Sequence, residues 1–172
     1  MCGANIVDAK IFTTTDGMAM DLFSIQDAEG RPLGDERRIA RLRETAVRVL
    51  GGEVVPRSVI DAKQVKRREE AFRVEPRVLI DNSASDSHTV IEINGRDRPG
   101  LLHDLTRGLH VAGLSIHSAH IATYGERAID VFYVKDGYGR KVTHPARIEQ
   151  IKTALLEALG DGGIRAQRRV RP

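Results

Sequence analysis

Gly113-Leu-Ser-Ile-His-Ser-Ala-His-Ile-Ala-Thr123 repeats, 110 residues later, the stretch Gly3-Ala-Asn-Ile-Val-Asp-Ala-Lys-Ile-Phe-Thr13. Identities fall at Gly3/Gly113, Ile6/Ile116, Ala9/Ala119, Ile11/Ile121 and Thr13/Thr123. At an offset of 109 they continue through Asp21/Asp130, Phe23/Phe132, Asp27/Asp136, Gly30/Gly139 and Arg31/Arg140. They end at Arg38/Arg147, Ile39/Ile148, Leu50/Leu159 and Gly51/Gly160. The one-residue slip sets Thr15-Asp16-Gly17 against Gly125-Glu126, two turn-forming stretches where a length change is tolerated. An internal repeat therefore organises the chain.

The second copy is the easier to read. Thr89–Asn94 alternates β-branched and polar residues, as a strand does. Pro99 and Gly100 open a helix with Leu101, Leu102, Leu105, Leu109 and Ala112 on one face, and Gly113 is a left-handed stop. Leu114–Tyr124 and Ala128–Val134 read as a tight hairpin. The apolar alternation loses phase between 116 and 119, and between 6 and 9 in the other copy, which predicts a bulge in each. A second helix follows Pro145, with Ile148, Ile151, Leu155, Ala158 and Leu159 on one face, and Ile164–Val170 is a candidate last strand. The order β-α-β-β-α-β is the ferredoxin-like arrangement, an α+β fold with two helices on one face of an antiparallel sheet.

In the first copy, Thr89 maps before residue 1, so that copy is expected to lack its first strand and helix. Its remaining helix carries Ile39, Leu42, Ala46, Val49 and Leu50 at the spacing of the later one. Its final strand is expected within Ala71–Ile80. Residues 53–70 form a charged insert, with Lys63–Glu70 a solvated arm, and Asn82–Ser87 reads as a linker. The expected division is a truncated first unit, 1–82, and a complete second unit, 83–172. The unpaired edge and uncovered apolar face of the first unit predict self-association.

Composition narrows the possible functions. Of 172 residues, 41% are hydrophobic and 30% charged, as in ordinary globular proteins, and the net charge of +3 does not demand a nucleic-acid partner. Apolar runs are too short for a transmembrane helix, and Met1–Asn5 lacks the features of a signal peptide. The expected compartment is the cytoplasm. A single cysteine, Cys2, excludes an internal disulfide and a multi-cysteine metal site.

Asp97-Arg-Pro-Gly-Leu-Leu102, joining first strand to first helix in a βαββαβ unit, resembles the ACT domains, small regulatory modules that bind amino acids. Longer strings resemble the tandem ACT region at the C-terminus of the bacterial bifunctional PII uridylyltransferase/uridylyl-removing family. They are Gly3–Ala9, Phe12–Met18, Phe72–Asn82, Thr89–Leu102, Ile121–Ala128 and Asp130–Val134. The resemblance implies a parent that attaches UMP to the PII signal protein and removes it in response to glutamine, in control of nitrogen metabolism. It implies catalytic nucleotidyltransferase and phosphohydrolase domains outside this stretch. Magnesium or another divalent metal is expected there and not here. The expected partners are glutamine or another small amino acid, the catalytic domains, and PII through the parent.

A free amino acid needs donors and an acceptor side by side. The helix N-terminus after Pro99 offers backbone N–H groups for a carboxylate. Gly100 leaves room for a ligand, and Asp97 can accept an ammonium. With Arg98 and Leu101 these form the expected ligand loop. The resemblance adds a partner position at the start of the second strand, Asn5 in one copy and Ser115 in the other. The same loop also reads as an ordinary helix start with Asp97 as its cap.

Other signals are weaker. Gly51-Gly52 and Gly162-Gly163 read as helix ends rather than phosphate loops, with no carboxylate pair after them, so no catalytic site is expected in this stretch. His103-Asp104 matches the letters of a metal-binding motif, yet His103 and His110 lack a completing carboxylate, so no metal site is expected. Asp21 and Asp130 recur inside strands, where Asp is unusual, and read as charges on a sheet surface, the alternative being a pair with an Arg on a neighbouring strand or at an interface. The Arg165–Arg171 tail reads as a solvated terminus. The alternatives to amino-acid sensing are an interaction module, in which paired sheets hold an oligomer, and an RNA-binding sheet, which lacks the needed aromatic signature.

Overall fold

The computed structural model describes residues 5–14, 16, 18–27, 29–54 and 74–160. The candidate strand 164–170, most of the insert, the arginine tail and Cys2 lie outside them. The elements in chain order are β1 (Asn5–Thr13), β2 (Ala19–Gln26), α1 (Glu36–Leu50), β3 (Arg77–Asp81) and β4 (Thr89–Arg96). There follow α2 (Leu101–Val111), β5 (Leu114–Tyr124), β6 (Arg127–Asp136) and α3 (Pro145–Leu159). The fold is α+β: one six-stranded antiparallel sheet in the order β2-β1-β5-β6-β4-β3, with three helices.

Both predicted bulges are present at equivalent places. The register shifts between Ile116 and Ser118 in β5 and between Ile6 and Asp8 in β1. The repeat extends to single hydrogen bonds in the loops after β2 and β6. Asp27 Oδ1 accepts from the Arg31 N–H at 2.9 Å, and Asp136 Oδ1 accepts from the Arg140 N–H at 2.8 Å. Gly30 and Gly139 take φ of +79° and +75° in those turns, a region L-residues avoid. These backbone N–H donors, Arg31 and Arg140 foremost, hold both aspartates below the usual carboxylate range.

The two copies meet strand to strand. β1 pairs with β5, its own repeat equivalent, so that Ala9 lies opposite Ile121 and Ile11 opposite Ala119. This local two-fold relation passes through the Lys10–His120 pair.

The core belongs to the second copy. Leu101, Leu105 and Leu109 of α2 and Ile151 and Leu155 of α3 pack on Ile91, Ile93, Phe132 and Val134 of the sheet. Gly95 permits the close approach of α3, since a Cβ there would sit 2.5 Å from Leu159 Cδ2. α1 is well formed, with Asp35 accepting from the N–H groups of Arg37 (2.9 Å) and Arg38 (3.4 Å), but it buries no residue.

The final strand of the first copy is shorter than expected. It begins at Arg77, because Pro76 donates no hydrogen bond and restricts the residue before it. It lies against β4 in the register Val78 opposite Ile93 and Ile80 opposite Ile91. The segment read as a linker is tied down. Asn82 donates to Val142 O at 2.8 Å, and Lys141 Nζ donates to the carbonyls of Asn82 and Ser85, both at 2.7 Å.

Candidate functional site

The turn from β4 into α2 uses its parts differently from an ordinary helix start. Gly100, not Asp97, is the N-cap; its φ is +82°, and there is no side-chain cap hydrogen bond. The reading of Asp97 as a helix cap is therefore overturned. The strain of a left-handed turn placed glycine there, and the cap position moved with it.

Asp97 is anchored by its backbone, whose N–H donates to Glu126 O at 2.8 Å. That bond fixes the turn against the start of β6. Asp97 is exposed as a residue. Partial withdrawal of its carboxyl from water raises its pKa, opposed by the backbone N–H and the charge of Arg98.

The guanidinium of Arg98 is spoken for. Nη2 donates to Asp104 Oδ2 at 2.7 Å and to Ala158 O at 2.8 Å. It thereby staples the turn to α2 and to the C-terminal carbonyl end of α3, where a positive charge is favoured. Leu101 is buried in the core, and its N–H bonds Arg98 O at 3.1 Å. Its contribution to the turn is packing.

The expected partner positions separate. Asp8 lies opposite Ala122, so the Asn5 end of β1 runs toward the β5–β6 hairpin, the end where Asp97 docks. Ser115 lies at the other end of the eleven-residue β5, opposite Lys135 and about 30 Å of strand away from that hairpin. The Asn5 end of β1 and the Asp97 turn thus lie toward the same end of the sheet, and Ser115 lies toward the other.

Asp130 enters the site from the sheet. The surface-charge reading fails here, because this residue is only 2% exposed. It lies between Ile93 of β4 and Ile121 of β5, on the strand face that carries Ala128, Phe132 and Val134 into the core. Its Oδ1 has no hydrogen-bond partner among the described residues. Burial, reinforced by the charge of Asp97, pushes its pKa up to about 7, while the Ala122 backbone N–H acts in the other direction. An Asp recurring inside a strand was the sequence signal. Its burial depends on how α2 and α3 pack over β6, which local sequence does not show.

The sequence matches a family description, the N-terminal ACT domain of the ACR family, over residues 84–159. Residues 84–159 are thus an ACT domain. The ACT match takes in α2, α3, β4, β5, β6 and the whole Asp97–Gly100 turn. The chain is 54% identical over 164 residues to the bifunctional uridylyltransferase/uridylyl-removing enzyme of Azospirillum brasilense, covering 92% of this chain and 17% of that protein. It is 51% identical over 160 residues to the enzyme of that description from Gluconobacter oxydans (91% and 17%). For Ruegeria pomeroyi the identity is 46% over 167 residues (96% and 18%). The chain thus spans less than a fifth of the length of these relatives. No solved structure matches.

His103 Nδ1 lies 3.6 Å from Asp104 Oδ1, and Asp104 is already bonded to Arg98. Among the described residues no group of three His, Cys, Asp or Glu side chains is placed to hold a metal ion. None of the described helices is long and apolar enough to cross a membrane.

Proposed function

We propose that this chain is the amino-acid-sensing, regulatory part of a bifunctional uridylyltransferase/uridylyl-removing enzyme, with glutamine as its effector. The observation that carries the reading is the Asp97–Gly100 turn. Its acidic side chain is not used as a helix cap, the first turn of α2 has no side-chain cap, and the β1 end of the other copy runs toward it. A carboxylate suits the backbone N–H groups of α2, and an ammonium suits Asp97. Asn5 is the partner position in this site. Gly100 provides the backbone turn, and Arg98 and Leu101 hold it in place.

On this reading the effector's binding is passed to catalytic domains of a longer cytoplasmic parent. That parent modifies the PII signal protein and so governs nitrogen metabolism. Divalent metal belongs to those domains. The two-unit division at residues 82/83 is part of the same proposal. Isothermal calorimetry of glutamine against this chain tests the binding. In the full-length enzyme, Asp97→Ala is expected to abolish the glutamine response while leaving basal transfer of UMP. An unchanged response removes Asp97 from the site.

A second reading, an interaction module, is favoured by a specific observation. Met20 and Leu22 on β2, and Ile39, Val47 and Leu50 on α1, all stand exposed. Such a surface suits self-association or docking onto catalytic domains. Sedimentation of the chain at increasing concentration tests it; a monomer throughout would count against self-association.

A further inference from the structure

A buried carboxyl oxygen without a partner is costly, and in a folded protein it calls for a specific explanation. Asp130 Oδ1 is such an atom, on a residue 98% withdrawn from solvent. The residues opposite it on the two neighbouring strands, Ile93 and Ile121, offer it nothing polar. Of the charged groups around it, Asp97 is the one whose charge acts on it, and that charge has the same sign. Among the described residues no arginine or lysine bonds to it: Arg98 is held by Asp104 and Ala158, Arg127 by Asn94, and Arg96 by Glu126.

We infer that Asp130 and Asp97 together form the receptor for the primary ammonium group of the effector, with Asp130 the deep carboxylate and Asp97 the outer one. The inference rests on the amino-acid-sensing reading above and adds to it a binding residue on β6. Three observations support it. Asp130 is the fourth residue of β6, and the turn bearing Asp97 is bonded to Glu126, immediately before that strand. An ammonium carries three donors and a charge opposite to both carboxyls, so it removes the repulsion between them and satisfies the orphan oxygen. Asp130 is closed off from water, so a ligand reaches it by shifting the Asp97–Gly100 turn. That shift is one means by which binding is transmitted, because Arg98 ties the same turn to α2 and α3.

The chemistry has a proton signature. Burial raises the pKa of the Asp130 carboxyl to about 7, so near neutral pH the protonated form is populated alongside the ionised one. An arriving ammonium requires the ionised form, so binding releases protons at pH 7. Ligands whose amino group is acylated are rejected.

Calorimetry of the whole chain at pH 7, in buffers of different ionisation enthalpy, reads this release directly. Glutamine is expected to bind with a buffer-dependent heat. Asp130→Asn is expected to weaken binding roughly tenfold or more and to abolish the buffer dependence. Glutamine binding with no proton release, or unaltered in Asp130→Asn, would overturn the Asp130 subsite and leave the amino-acid reading standing. Methylammonium, which presents the ammonium alone, separates the two ideas. If glutamine is silent but methylammonium lowers the carboxyl titration of Asp130, followed by its ¹³C resonance, the subsite stands and glutamine is the wrong effector. Silence from both ligands overturns the subsite.

Discussion

Asp21 and Asp130 occupy one position of the internal repeat, as do Phe23 and Phe132, yet their surroundings are opposite. Phe132 is fully buried and Asp130 nearly so, whereas Asp21 is exposed and Phe23 is 44% exposed. The strands that carry them begin alike, bulge alike in their hairpin partners and end in matching Asp–Gly–Arg turns. The difference is the layer above. α2 and α3 cover β6, while α1 buries nothing and no strand is described on the outer side of β2. Local structure here follows local sequence in both copies; burial, and with it any shift in the chemistry of a side chain, follows the neighbours.

The strongest way to break this comparison is truncation of the paired aromatics. Phe132→Ala should cost about 3–5 kcal/mol, as lost transfer energy plus a cavity. Phe23→Ala should cost about 1 kcal/mol or less, because much of the ring already meets water. Urea unfolding of the two variants measures both. Equal losses would show that the first copy is as covered as the second.

Next in size is the pH dependence of Asp130. Its folded-state pKa, about 7, lies above the ordinary 3.8. The folded chain therefore holds a proton that the unfolded chain has released across this window. The associated stability is fully present below 3.8 and is lost as pH rises through 7. Its size is on the order of 4 kcal/mol. Asp130→Asn should flatten the stability profile between those limits, whereas Asp21→Asn should leave it nearly unchanged. Unfolding midpoints across that range are the measurement.

Gly95→Ala is a smaller test of the covering layer. The new Cβ meets Leu159 Cδ2 at 2.5 Å, so α3 must shift or repack, at about 1–3 kcal/mol. Smallest is Leu50→Ser on α1. Leu50 is 88% exposed, so the change should stay within about 0.5 kcal/mol in unfolding of the chain. If α1 docks onto a partner, the same substitution should weaken that association instead, visible in sedimentation.

Much of the architecture could be read from the residues because it is local. The Leu101/Leu105/Leu109 face, the Gly113 stop, the bulges and the hairpins all follow from periodicity and from glycine geometry. The candidate site was read in half. Asp97 and Gly100 stand in one continuous turn and so were recognisable together. Ser115 stands a strand's length away from them, and the reading of Asp130 as a surface charge misses its burial, because spacing along the chain does not encode which strand face the helices cover.

The sequence by itself determined the repeat, the βαββαβ order of the second unit and the acidic, glycine-bearing turn, because helix faces, strand alternation and turn conformations depend on residues a few positions apart. Only the tertiary structure decided that β1 would join β5 and that β3 would line the edge of β4. It alone decided that one of two equivalent aspartates would be shut away from water beside Asp97. Those outcomes rest on which elements stack over which face, and on the desolvation that stacking imposes.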